Sequence, residues 1–234
     1  MSTLTFRTLV LALSMLVISG CPTTAQVKEE SPPPPRNLLG TTDELQLVTE
    51  LLASLTLDHG TEPILVVLGI DDTLLANDAD SSCNDLAGGS AMPEMVQADT
   101  ATQVDRMQQM NVKVIAISER PAQCAQKIAA ELGHYQISFK NSAWPVQNGS
   151  STEFTPTGAT GPISYRDGVL LSSGQDKGKM LKSLLDESGE PLPGLVVMVD
   201  YQQRDLSQVM RAFAFSGTKV HAWRYTRVDT AQNL

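Results

Sequence analysis

The chain has 234 residues, 41% of them hydrophobic, a formal net charge of −9, three cysteines and three histidines. That is enough apolar material for one core of ordinary size, and an acidic balance without a basic run excludes nucleic acid as an expected partner. His59, His134 and His221 are scattered and lack the spacing of a metal-binding set.

The first twenty residues carry one basic residue, Arg7, then an apolar run from Leu9 to Ile18 and the small pair Ser19-Gly20. This is the pattern of a secretory leader, and the run is short of the roughly 20 residues a membrane-spanning helix needs. Ile18-Ser19-Gly20-Cys21 resembles a lipobox, which implies lipidation of Cys21 and cleavage before it. The rival reading is an ordinary leader followed by an incidental cysteine. With Pro22 after Cys21, the resemblance implies an outer-membrane, periplasm-facing anchor. Residues 21–37, with Pro32-Pro33-Pro34-Pro35, read as a semi-rigid tether, and 38–234 as one domain. Losing the leader removes Arg7 and no acid, giving a net charge of −10. Cys83 and Cys124 remain, and an exported domain permits a disulfide between them.

Thr41 and Glu44 have capping-box spacing before Leu45, Val48, Leu52 and Leu55, so a helix is expected over 42–57. Pro63 opens the apolar run Ile64 to Leu68, the pattern of a central strand covered on both faces. Further strands are expected at 112–117, 195–199 and 219–225, and helices at 99–110, 177–186 and 204–214. Alternating strands and helices give an α/β fold built on a parallel sheet. Residues 76–98 look like a small flap, packed by Met92 and Met95. Residues 134–176, with Tyr135, Phe139, Trp144 and the short run Gly168 to Leu171, read as an irregular β insertion. No repeat occurs at a fixed period.

Ligands of open α/β sheets bind beyond the carboxyl ends of the strands, where the strand order reverses. The polar residues fall there: Gly69-Ile70-Asp71-Asp72-Thr73, Ser118-Glu119-Arg120, and Asp200 with Asp205, while Lys177 starts a helix between the last two. The order of these motifs resembles that of the haloacid dehalogenase superfamily across nearly the whole domain. More narrowly, the stretches Val67 to Leu75, Ala116 to Pro121 and Ser172 to Gly178 look like a bacterial group within it known only as a domain of unknown function. The resemblance implies a Rossmann-like parallel sheet with helices on both faces. It also implies a Mg²⁺-dependent phosphohydrolase site acting on a phosphorylated small molecule.

In that family the first aspartate of the motif attacks phosphorus, and the aspartate two residues later serves as acid and base. Carried over by position, Asp71 is the acid/base, Thr73, Ser118 and Lys177 contact phosphate, and Asp71, Asp200 and Asp205 face the metal. The nucleophile position is Gly69, which has no group to attack phosphorus or bind metal. Tyr201 stands where a second acid often follows. The expected protein is therefore a catalytically impaired phosphatase scaffold, with Mg²⁺ held weakly or not at all and a protein partner unnamed by the sequence. Two rivals stand beside it. One is an active phosphohydrolase using Asp71 as nucleophile, since Asp71-Asp72-Thr73 has the Asp-x-Thr spacing of phosphorylated ATPases. The other is a purely structural envelope lipoprotein.

Each residue also has a plainer reading. Asp71 and Asp72 are turn formers by type, and Ser118 is a common helix starter. Lys179 competes with Lys177, and Glu119 with Arg120 can be a local surface pair worth under about 1 kcal/mol. Asp200 is the strongest candidate, because an acid directly after a buried strand is costly unless paired.

Overall fold

The structure, a computed structural model, describes residues 37–58, 62–76, 83, 92–147 and 151–231. The expected leader, Cys21, the tether up to residue 36 and most of the flap (77–82 and 84–91) lie outside the described residues. No helix among the described residues is long and apolar enough to cross a membrane.

In chain order the elements are β1 (Leu38–Thr42), α1 (Leu45–Asp58), β2 (Ile64–Gly69), α2 (Thr100–Gln109), β3 (Lys113–Ser118) and α3 (Ala125–His134). There follow β4 (Ser151–Phe154), β5 (Ile163–Arg166), β6 (Val169–Leu171), α4 (Lys177–Ser188), β7 (Leu195–Asp200), α5 (Gln203–Ala212), β8 (Lys219–Tyr225) and α6 (Arg227–Ala231). All the strands join one sheet in the order β1-β8-β7-β2-β3-β6-β5-β4. The pairings from β1 through β6 are parallel, and β5 and β4 close that edge antiparallel.

The continuous apolar runs are explained by the two faces of this sheet. In β2, Ile64, Val66 and Leu68 pack with α1, α2 and α3, whereas Leu65 and Val67 pack with α4 and α5. β7 divides in the same way, with Leu195, Val197 and Val199 on the first face and Val196 and Met198 on the second. Side chains of a strand alternate between faces, so a strand covered on both must be apolar at every position.

Several sequence expectations change. The helix expected from residue 42 starts at Leu45, because residues 38–42 pair with β8 as an edge strand. The Thr41–Glu44 capping box does not form. Thr42 instead bonds within the turn at Glu44, and the Leu45 N–H donates to Gln97 Oε1 from far along the chain. Helix α3 has no counterpart among the expected elements; its buried residues are Ile128, Glu131 and Leu132, too few to set a strong helical period. The irregular β insertion at 134–176 supplies β4, β5 and β6, and β6 pairs with β3, so the insertion extends the main sheet. Met95 packs against the core, but Met92 is exposed.

Cys83 and Cys124 are disulfide-bonded, with Cα atoms 4.8 Å apart and a sequence separation of 41. This fastens the segment after β2 to the start of α3, and on the chain-entropy account a loop of that size stabilises by roughly 4 kcal/mol.

Helices α4 and α5 meet backbone to backbone at Gly178, where a Cβ would fall on the Gln208 carbonyl and 2.6 Å from the Val209 nitrogen. Glycine within a helix ordinarily costs stability relative to alanine. Here the sign reverses, because backbone cannot move aside as a side chain can. Gly178→Ala is expected to destabilise by about 1–3 kcal/mol, the scale of overpacking. Thermal unfolding followed by circular dichroism measures it, and an unchanged or raised midpoint would contradict the close crossing.

Candidate functional site

Strands β2, β3 and β7 lie side by side at the centre of the sheet and end at the same edge. The chain leaves β2 for β3 on one side and later returns to β7 on the other, so the strand order reverses at β2 and leaves a crevice there. After Gly69 the chain makes one tight turn, with the Ile70 carbonyl accepting from the N–H groups of Leu74 and Leu75, each at 3.0 Å. Asp72 takes a left-handed conformation (φ 54°) in that turn, which an aspartate tolerates better than most residues. A pocket of about 280 Å³ opens at this edge, lined by Asp71, Glu119, Arg120, Pro121, Lys177, Tyr201 and Gln202.

Two ion-pair clusters form the pocket's inner wall. In the first, Arg120 donates through Nε (2.9 Å) and Nη2 (2.5 Å) to Asp71 Oδ1, and through Nη1 to Glu131 Oε2 at 2.7 Å. The Ser118 hydroxyl donates to the other Asp71 oxygen at 2.7 Å. Burial disfavours the Arg120 cation, but Asp71 and Glu131 outweigh it and hold the guanidinium above its ordinary value. In the second cluster, Lys177 Nζ lies 2.8 Å from Asp200 Oδ2 and 2.7 Å from Asp205 Oδ2. Asp200 and Asp205 have 0% exposure. Burial lowers the Lys177 ammonium, and the two carboxylates more than reverse this, leaving it raised. Burial pushes the Asp200 carboxyl upward against the pull of Lys177. The Gln202 N–H caps Asp200 Oδ1 at 2.9 Å, and Arg204 binds Asp205 Oδ1 at 2.8 Å while reaching Glu119 at 2.5 Å.

Gly69 sits under the second cluster. A Cβ built there would lie 2.7 Å from Asp200 Oδ2 and 2.9 Å from Thr73 Oγ1. The Asp200 carboxylate thus leans over Gly69 and fills the space that a side chain would enter. Thr73 is fully buried and accepts from the Tyr201 N–H at 3.1 Å, a contact that joins the β2 turn to the end of β7.

The structure brings Gly69, Asp71, Thr73, Ser118, Lys177 and Asp200 to this one edge. Asp205 joins them from the first turn of α5, whereas Lys179 is exposed on α4. The simple surface pair of Glu119 with Arg120 does not occur. Arg120 turns inward to Asp71 and Glu131, and Glu119 pairs with Arg204 instead. Sequence reading missed Glu131, Arg204 and Gln202 as members of the site. Glu131 and Arg204 are helix residues, whose charged side chains by composition alone look like a solvated face.

As folded, these residues do not fit Mg²⁺. The ion takes oxygen ligands in near-octahedral order. Here Asp71, Asp200 and Asp205 are each turned to a cation of the protein itself, and no three acidic, histidine or cysteine residues among those described converge as a ligand set.

The mostly parallel sheet, its reversal at β2 and the crevice beyond the strand ends define an open α/β domain of Rossmann-like topology. The chain belongs to the family described as a protein of unknown function (DUF2608), whose model matches residues 89–234. Among solved structures it is similar to the haloacid dehalogenase domain of effector protein Lem4 from Legionella pneumophila at 16% identity and a TM-score of 0.46, covering 73% of this chain and 94% of that one. An inactive mutant of the same domain matches at 16% identity and a TM-score of 0.47, with coverage of 74% and 92%. No curated protein matches the chain.

Arg120→Met leaves Asp71 and Glu131 without their cation in a site that is largely dry. Removing one partner of a buried pair typically costs about 3–5 kcal/mol. Because the Asp71 side chain keeps 18% exposure, a loss near the lower end, about 3 kcal/mol, is expected. Urea unfolding of the variant checks this, and a midpoint within error of the wild type would show that the cluster is solvent-screened.

Proposed function

We propose that this protein is an exported, lipid-anchored, periplasm-facing module that uses a phosphatase-type fold without phosphatase turnover. The reading rests on one observation above all: Gly69 supplies no nucleophile, and the Asp200 carboxylate occupies the space beside it. A phosphorylated ligand would also meet cations already in use, since Arg120 is held by Asp71 and Glu131, and Lys177 by Asp200 and Asp205. Binding phosphate there means breaking buried ion pairs, so the pocket suits a scaffold better than a phosphate trap.

The leader and Ile18-Ser19-Gly20-Cys21 support export and an acyl anchor on Cys21 at the outer membrane. The Cys83–Cys124 disulfide supports the same placement, because such bonds persist in oxidising compartments. Residues 21–37 then act as a spacer between the anchor and the domain.

The rival nucleophile, Asp71, is at the pocket but accepts bonds on both oxygens, from Arg120 and from Ser118. The purified mature protein is expected to show no Mg²⁺-dependent hydrolysis of p-nitrophenyl phosphate. Beryllium fluoride, a phosphoryl mimic, is expected to leave Asp71 unmodified. Turnover that disappears in Asp71→Asn would overturn the reading in favour of an active phosphohydrolase.

Gly69→Asp tests the same point from the other side. The new Cβ must displace Asp200 from a fully packed site, so a stability loss of about 1–3 kcal/mol is expected, with no gain of phosphatase activity. Activity appearing in this variant would show that Asp200 swings away freely and that only the nucleophile is missing.

A further inference from the structure

We propose that Lys177 is the permanent cation of this site: its ammonium takes the place between Asp200 and Asp205 that a divalent metal would otherwise claim, so the wild-type pocket binds none. Two carboxylates with no exposure to solvent must be neutralised, because an unpaired buried charge is among the costliest arrangements a fold can hold. Lys177 Nζ stands 2.7 and 2.8 Å from one oxygen of each, and is itself almost fully buried. The remaining oxygens are taken as well, Asp200 Oδ1 by the Gln202 N–H and Asp205 Oδ1 by Arg204. A metal entering the pair would have to expel the ammonium from both carboxylates.

The position of Lys177 strengthens the case. It is the first residue of α4, following the capping Asp176, where the helix dipole disfavours a cation. Helix formation does not place a lysine there, and its head group is held by the two acids. The main chain is fixed around it too, with the Lys177 N–H donating to Gln208 Oε1 at 2.8 Å. Gly69 completes the arrangement, since any side chain there would meet Asp200 and disturb the oxygen that Lys177 holds. The inference rests on this geometry alone and holds whether or not the protein turns over a substrate.

The test removes the ammonium and asks whether a metal replaces it. Wild-type protein, Lys177→Ala and the charge-balanced double variant Lys177→Ala/Asp200→Asn are compared by thermal unfolding in EDTA and in about 10 mM MgCl₂ or CaCl₂, with calorimetric titration of the metal alone. Wild-type unfolding is expected to be indifferent to metal and chelator. Lys177→Ala is expected to unfold earlier in EDTA and to recover with divalent ion, binding it at least about tenfold more tightly than wild type. The double variant is expected to lose that gain. A saturable rise of the wild-type midpoint with Mg²⁺ overturns the proposal, and so does a folded Lys177→Ala that neither binds nor responds to divalent ions. Should Lys177→Ala fail to fold in EDTA and in metal alike, the wild-type titration still decides. Phosphatase turnover in the wild type without metal binding would count against the proposed function while leaving this inference standing.

Discussion

The constraint on which the crevice depends is the neutralisation of Asp200 and Asp205. Both lie at the end of the sheet with no exposure, one closing β7 and the other in the first turn of α5. Burial of that depth without a counter-charge would cost several kcal/mol per group. Lys177 meets the requirement from α4, and so the ion triad also sets how α4 and α5 stand against each other. Gly178 follows directly, allowing the two backbones to approach closely enough for Lys177 to reach across. A lysine and a glycine adjacent in sequence therefore serve one purpose from two sides.

The Arg120 cluster works outward from this triad. Asp71 is held by Arg120 and Ser118, and Arg120 is shared with Glu131 of α3. Helix α3 is in turn fastened by the disulfide between Cys124, at its start, and Cys83 in the segment after β2. Asp71 and Cys83, both in the segment after β2, are thus tied to the same helix, one through charge and one covalently. Arg204 links the clusters by binding both Asp205 and Glu119. In a crevice wired in this way the charges face one another.

How much of this was legible in the sequence follows from range. Strands β2 and β7 were readable because burial on both faces demands apolar residues at every position, a signal contained in six consecutive residues. The edge strand β1 was not, because Leu38, Leu39 and Gly40 pair with β8 while remaining partly exposed, and nothing local requires a strand there. Asp71, Ser118, Lys177 and Asp200 stood out by position after strands or at a helix start. Their partners did not, because the choice between Glu119 and Glu131 for Arg120 depends on where α3 lies, and α3 itself left little trace. At the start of α1 a local capping pattern at Thr41 and Glu44 lost to a hydrogen bond that the Leu45 N–H donates to Gln97, 52 positions away.

Charge balance sets what the crevice offers an incoming anion. A phosphoryl-transfer site keeps its cations available and its carboxylates turned toward metal or phosphorus, a preorganisation that is useful only if binding does not first have to break it. Here Arg120 and Lys177 each already face two carboxylates. With no side chain at Gly69, nothing from that position competes with Asp200 for Lys177 or for space. Asp71, Arg120, Lys177 and Asp200 are each held by a partner whose loss would strand a buried charge.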